Sequence, residues 1–192
     1  QSNGATTIRK EHLNIEGDEM VFSYKGKSGK FQEKHIINSK LSKVISELEE
    51  LPGYRLFKYY DENGELITVE SQDLNQYIKE IMGEEFSAKD FRTWAGTMIA
   101  AGILDELGIC EKQQQKEMKK RIRNAIVAVS EKLGNTPSVA RDSYIDPRIF
   151  EHYKNGQTIN YFQKEIKKLL RKNENLSETE VGVLYMLKSK LK

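Results

Sequence analysis

The spacing of apolar residues changes character near residue 38. Before it, Thr6 to Ile15, Glu19 to Lys25 and Phe31 to Ile37 are three short runs with partial alternation. Glu16-Gly17-Asp18 separates the first two, and Gly26-Lys27-Ser28-Gly29 the second and third. Glycine-containing breaks of that length predict an antiparallel meander. After Asn38 the apolar repeat becomes that of a helix. Leu41, Val44, Ile45 and Leu48 predict a helix capped by Ser39 and running to about Glu50, ended by Pro52-Gly53. Tyr54 to Thr68 is read as irregular, with a turn at Asp61-Glu62-Asn63-Gly64. Ser71 opens a second helix with Leu74, Tyr77, Ile78 and Ile81 on one face, stopped by Gly83. Ser87 caps a third, through Phe91, Trp94, Met98 and Ile99 to about Asp105. A long helix is expected from about Glu111 to Leu133, polar and basic first, apolar from Ile122 to Val129. After the break at Gly134-Asn135-Thr136-Pro137, shorter helices are expected at about 137–144, 147–155, 159–171 and 177–191. The class is α+β: a mostly helical domain with a small antiparallel three-stranded sheet at its N-terminal end. It reads as one domain over 1–192, with 1–38 the sheet part and 39–192 the helical part.

Composition narrows the class. Of 192 residues, 38% are hydrophobic and 31% charged, which suits a well-solvated globular chain with a real core. The net charge is only +2, so an argument for a nucleic-acid partner has to be local. Cys110 is the single cysteine, which excludes an internal disulfide and suggests a reducing, cytoplasmic setting. No apolar run approaches the ~20 residues of a membrane span, and no signal peptide is visible. The start, Gln1-Ser2-Asn3-Gly4, lacks a methionine and suggests an excised fragment.

No Walker loop, GxGxxG or paired Cys/His ligand spacing occurs. His12, His35 and His152 are scattered, and each is expected to be a surface or strand residue. Four stretches could carry chemistry. Tyr24-Lys25-Gly26-Lys27-Ser28-Gly29-Lys30 is a turn with three lysines, either solvated or an arm that places an ammonium on a polyanion. Lys89-Asp90-Phe91-Arg92-Thr93-Trp94 puts two cations at i and i+3 on one helix face. Leu133-Gly134-Asn135-Thr136-Pro137-Ser138 is a helix stop followed by a cap. Arg141-Asp142-Ser143-Tyr144-Ile145-Asp146-Pro147 places a tyrosine before a proline-started helix. Taken singly, each has an ordinary structural reading.

Taken in order they resemble a family. Thr6-Thr7-Ile8-Arg9-Lys10-Glu11-His12-Leu13, the Gly26-Lys27 turn, Lys89 to Trp94, Leu133-Gly134-Asn135-Thr136-Pro137 and Ser143-Tyr144 follow the sequence seen in bacterial and poxvirus type IB DNA topoisomerases. The resemblance covers essentially the whole chain. It implies the catalytic fold shared with tyrosine recombinases, double-stranded DNA as partner, a monomer, no cofactor and no metal. Tyr144 resembles the nucleophile that becomes linked to a 3′-phosphate. Arg92 resembles the arginine on the non-bridging phosphate oxygens, and Lys89 the basic residue one turn before it. Lys27 resembles the hairpin lysine that protonates the departing 5′-oxygen. Asn135 fills a position that is histidine in poxvirus and eukaryotic members and often asparagine in bacterial ones, so it fits the bacterial subgroup; the expected setting is cytoplasmic and, on the resemblance to bacterial members, nucleoid-associated. Lys25, Lys30, Lys112, Lys116, Lys119, Lys120, Arg123 and Arg141 are further candidates for contact with DNA. The family's other catalytic arginine lies upstream of the Thr-Thr-Ile-Arg-Lys segment and, like the family's N-terminal DNA clamp, is not in this sequence. Arg9 belongs to the strand motif and does not stand in for it. The alternative, a tyrosine recombinase, usually shows His-x-x-Arg and Leu-Gly-His, where this chain has Lys-x-x-Arg and Leu-Gly-Asn.

The chemistry accounts for the residue types. A phosphodiester is already anionic, its pentacoordinate transition state gathers charge on equatorial oxygens, and a 5′-alkoxide leaves poorly. A fixed arginine fork matches the oxygens. A lysine acting as general acid helps the leaving group by roughly 10²–10⁴-fold. A phosphotyrosyl ester conserves about the energy of the bond it replaces, so resealing needs no ATP.

Overall fold

The computed structural model describes residues 4–26, 29, 31–111, 114–171 and 175–189. Two compact units are present, Gln1–Ala88 and Lys89–Lys192.

In the first unit, β1 (Leu13–Glu16), β2 (Glu19–Lys25) and β3 (Phe31–Ile37) form an antiparallel sheet in the order β1-β2-β3. The register sets Leu13 opposite Phe22 and Met20 opposite Ile36. Met20 is completely buried, and with Ile8, Ile45 and Leu56 forms the core of this unit. α1 (Ser39–Glu50) is capped by Asn38 rather than Ser39, because the Asn38 side chain reaches the amides of Lys40 and Leu41 at 3.1 and 2.9 Å. The Ser42 hydroxyl donates to the Gly17 carbonyl at 2.7 Å, fixing α1 to the β1–β2 turn. α2 (Ser71–Met82) stops at Gly83.

Two segments differ from the sequence expectation. Residues expected as strand before Leu13 form two short 3-10 turns, Ala5–Thr7 and Lys10–His12. Local polar groups favour this: Gly4 N–H donates to Thr7 Oγ1, and Arg9 N–H to His12 Nδ1. The segment read as irregular holds a hairpin of β4 (Lys58–Tyr60) and β5 (Leu66–Thr68) around the expected turn. Asp61 organises that turn by accepting from the amides of Asn63 and Glu65.

The second unit is helical: α3 (Ala88–Glu106), α4 (Gln115–Leu133), α5 (Pro137–Tyr144), α6 (Pro147–Lys154), α7 (Gln163–Leu170) and α8 (Glu178–Lys188). One continuous core includes Ala100, Ala101, Leu104, Val129, Ile149, Tyr153, Ile166 and Val183. α5 and α6 begin alike, with Pro137 and Pro147 in the first turn and Thr136 and Asp146 as caps. His152 departs from the expected surface position. It is buried between the Gln157 side chain and the Met186 carbonyl, both at 2.8 Å, and ties α6 to α8. Among the described residues no helix is long and apolar enough to cross a membrane.

Candidate active site

The site is assembled by α3, the end of α4, and α5. α3 buries Gly96, Thr97, Ala100, Ala101 and Leu104, a stripe at helical spacing that turns one face to the core. Arg92 lies one turn before Gly96 and Thr97, where that face emerges at the surface. Lys89 is exposed on the first turn, and its carbonyl accepts from the Thr93 hydroxyl at 3.3 Å.

α4 ends because Gly134 adopts the left-handed conformation, at φ 68° and ψ 36°. The Gly134 amide then donates to the Glu131 carbonyl at 3.2 Å and the Asn135 amide to Ser130 at 2.8 Å. This double closure leaves the Leu133 carbonyl for outside donors. Arg92 Nη2 donates to it at 2.8 Å, and Asn135 Nδ2 lies 3.4 Å from the same oxygen. Asn135 is buried. A single helix-end carbonyl therefore joins two of the side chains singled out in the sequence.

Thr136 restarts the chain. Its hydroxyl accepts from the Val139 amide at 3.3 Å, and Pro137 fits the first turn of α5. Eight residues later α5 ends on Tyr144. The Arg92 guanidinium sits over the Tyr144 ring, with Cζ 4.9 Å from its centroid. Directly after it, Asp146 caps α6 and is held by Arg148. The Arg148 side-chain hydrogen bond keeps the Asp146 carboxyl below the usual carboxylate range.

Arg92, Asn135 and Tyr144 are thus brought together, with Lys89 one turn along the helix from Arg92. Lys27 and Lys30 fall outside the described residues, as does Lys112. Lys25 is exposed at the end of β2, in the other unit. Lys116, Lys119, Lys120 and Arg123 are exposed at i, i+3, i+4 and i+7, which makes them one stripe along α4. Arg121 on the same helix is engaged elsewhere, with Glu117 and the Leu107 and Gly108 carbonyls. Arg141 is exposed on α5.

Sequence reasoning passed over two features. One is Thr93, Gly96 and Thr97 on α3, which touch the Tyr144 segment. Nothing in their residue types announces this, although their spacing from Arg92 puts them on its side of the helix. The other is α7, where Lys164, Lys167 and Lys168, with Arg171 at the C-cap, are exposed with the same i, i+3, i+4, i+7 periodicity. That stripe was available from spacing alone.

Comparison with known proteins identifies the family. The family model described as eukaryotic DNA topoisomerase I, catalytic core, matches residues 1–173. A DNA topoisomerase 1B of Acanthamoeba polyphaga mimivirus is 32% identical over 182 residues, covering 87% of this chain and 54% of the relative. The chain therefore spans about half the length of that relative. With a match over most of its length and the Arg92–Asn135–Tyr144 grouping in place, the chain belongs to the type IB DNA topoisomerase family.

Proposed function

We propose that this chain supplies the catalytic part of a type IB topoisomerase, relaxing supercoiled duplex DNA through a transient 3′-phosphotyrosyl link to Tyr144. The observation that carries the reading is the Arg92 guanidinium lying over the Tyr144 ring, since it puts a permanent cation beside the candidate nucleophile. The rival reading, a DNA-binding module without activity, has no use for that adjacency.

In this reading the Tyr144 phenol oxygen attacks the scissile phosphorus and forms a new P–O bond as its proton passes to solvent. The bond from phosphorus to the 5′-oxygen breaks. Arg92 exchanges its Leu133 carbonyl and ring contacts for the non-bridging oxygens, where negative charge grows. Asn135 adds a neutral donor, and Lys89 a second cation on the approach. Lys27 delivers the proton that leaves with the 5′-oxygen. The free strand end rotates, and attack by the 5′-hydroxyl on the phosphotyrosine reverses each step. We take 1–192 to act as one catalytic domain, with the stripes on α4 and α7 meeting backbone phosphates. The same reading makes the chain a monomer on DNA in a reducing compartment; the viral relative lends no support to a bacterial nucleoid in particular.

The recombinase alternative is disfavoured by Lys89 and Asn135, which stand where recombinases usually carry histidine. Relaxation of supercoiled plasmid in EDTA without ATP tests the proposal, using this chain and any longer protein that contains it. Relaxation is expected from the longer protein, slower from the chain alone, and abolished by Tyr144→Phe. Relaxation that requires ATP, or that survives Tyr144→Phe, overturns it.

A further inference from the structure

Four consecutive features of α3 meet the segment from Ser143 to Asp146. The Arg92 guanidinium covers the Tyr144 ring at 4.9 Å. The Thr93 hydroxyl reaches the Ser143 carbonyl at 3.4 Å. Gly96 packs against the Tyr144 carbonyl so closely that a Cβ there would overlap its oxygen, while also meeting the Leu133 side chain at 3.3 Å. Thr97, which is 2% exposed, accepts the Asp146 amide on its hydroxyl oxygen at 3.0 Å. Positions 92, 93, 96 and 97 form one helix face.

We infer that Thr97 and Gly96 are positioning residues for Tyr144, so that one rigid helix sets both the arginine and the direction of the phenol. The inference rests on the reading of Tyr144 as nucleophile. Two constraints bracket the tyrosine. Gly96 removes the side chain that would lift the end of α5 away from α3. Thr97 holds the first amide beyond Ile145, so the chain cannot rotate about the Tyr144 backbone without losing a part-buried hydrogen bond. Neither residue touches the phosphate. Their effect passes wholly through the tyrosine, which must stand in line with the departing oxygen for the displacement to proceed. A misplacement of about 1 Å in such a geometry costs on the order of 10²-fold in rate.

The α3 face also explains why the arginine and the tyrosine keep their spacing although Arg92 and Tyr144 lie 52 positions apart in the chain. Gly96 and Thr97 lie one turn past Arg92 on a helix whose following turns are locked in the core by Ala100, Ala101 and Leu104. The nucleophile is therefore referenced to a helix rather than to its own short α5.

The test uses Thr97→Val, which keeps the shape and removes the acceptor, Thr97→Ser, which restores it, and Gly96→Ala. Single-turnover cleavage of a suicide duplex, noncovalent duplex affinity and thermal midpoint are measured for each. A second readout needs no catalysis: 3-fluorotyrosine placed at position 144 reports its surroundings through the ¹⁹F shift. Thr97→Val is expected to move that resonance and to slow cleavage on the order of 10²-fold, with duplex affinity within about twofold. Thr97→Ser should restore both. Gly96→Ala should act in the same direction, and if it fails to fold the Thr97 pair still decides. An unchanged ¹⁹F shift and cleavage rate in Thr97→Val overturns the inference, as does a loss that tracks thermal midpoint and is not rescued by serine. Failure of the underlying reading looks different: cleavage would then persist in Tyr144→Phe.

Discussion

Arg92 and Asn135 converge on the same oxygen, the Leu133 carbonyl at the end of α4, at 2.8 and 3.4 Å. A helix terminus carries partial negative charge and unpaired carbonyls, so it attracts donors without demanding a counter-ion. On the proposed reading, Arg92 exchanges this carbonyl for a phosphate. A phosphate brings full negative charge and two oxygens to the same fork. The arrangement thus combines preorganisation with exchangeability.

Replacing Arg92 should therefore affect chemistry more than binding. Arg92→Ala is expected to slow single-turnover cleavage by ~10²–10³-fold, the usual cost of removing one preorganised charge-stabilising donor. Arg92→Lys should recover only part, because an ammonium cannot span two oxygens as a planar fork does. A lysine variant equal to wild type would show that a point charge suffices.

Gly134 makes a stability prediction at the same corner. Its positive φ of 68° is strained for any residue with a Cβ. Gly134→Ala should cost about 1–2 kcal/mol and lower the thermal midpoint by about 2–4 °C for each of them. Differential scanning calorimetry measures this. An unchanged midpoint would mean that the α4 terminus relaxes into another closure.

Much of this corner was legible in the sequence. Gly134 followed by Thr136-Pro137 announces a stop and a restart, and glycine breaks set the bounds of β2 and β3. Binary patterning located α1, α2 and α3, although part of each apolar face is exposed: on α2 only Ile78 is buried, while Tyr77 and Ile81 face solvent. Legibility failed where structure depends on partners distant in sequence or on side-chain caps. The β4–β5 hairpin has only three residues per strand and buries Lys58, a residue type that signals surface. Its ammonium donates to the Gly53 carbonyl at 2.9 Å, a contact no pattern reveals. His152 went astray for the same reason, since one of its two partners, Met186, lies 34 positions away on α8. Motif order singled out Arg92, Asn135 and Tyr144, which the fold brings together, but the face of α3 that seats Tyr144 is a property of packing.

Acid should weaken the segment that follows Tyr144. Asp146 accepts two side-chain hydrogen bonds from Arg148, at 2.9 and 2.7 Å, and caps α6. Its pKa is held below the ordinary value of 3.8 in the fold. A depressed folded pKa stabilises above the unfolded pKa, and that contribution fades as pH falls from about 4 through the folded value. Asp146→Asn should therefore flatten the acid limb of thermal midpoint against pH below about 4, with a smaller effect near neutrality because asparagine also caps. An identical acid limb in the variant would assign the acid sensitivity to other carboxylates.

Duplex affinity should be mainly electrostatic. Each phosphate contact released contributes ~0.9 to the slope of log affinity against log salt. Neutralising Lys116, Lys119, Lys120 and Arg123 together should lower the slope by ~0.9 for each that meets a phosphate, while cleavage at saturating DNA stays near wild type. The measurement is fluorescence anisotropy from low to physiological salt. A slope unchanged by all four substitutions would remove the α4 stripe from the interface.

The central claim is that Tyr144 attacks DNA. The most direct measurement is to trap the covalent complex on a radiolabelled suicide duplex, digest it, and identify the peptide that carries the nucleotide. The account predicts a 3′-phosphotyrosyl peptide containing Tyr144 in wild type and no adduct in Tyr144→Phe. An adduct on any other residue, or one that persists in Tyr144→Phe, would contradict it.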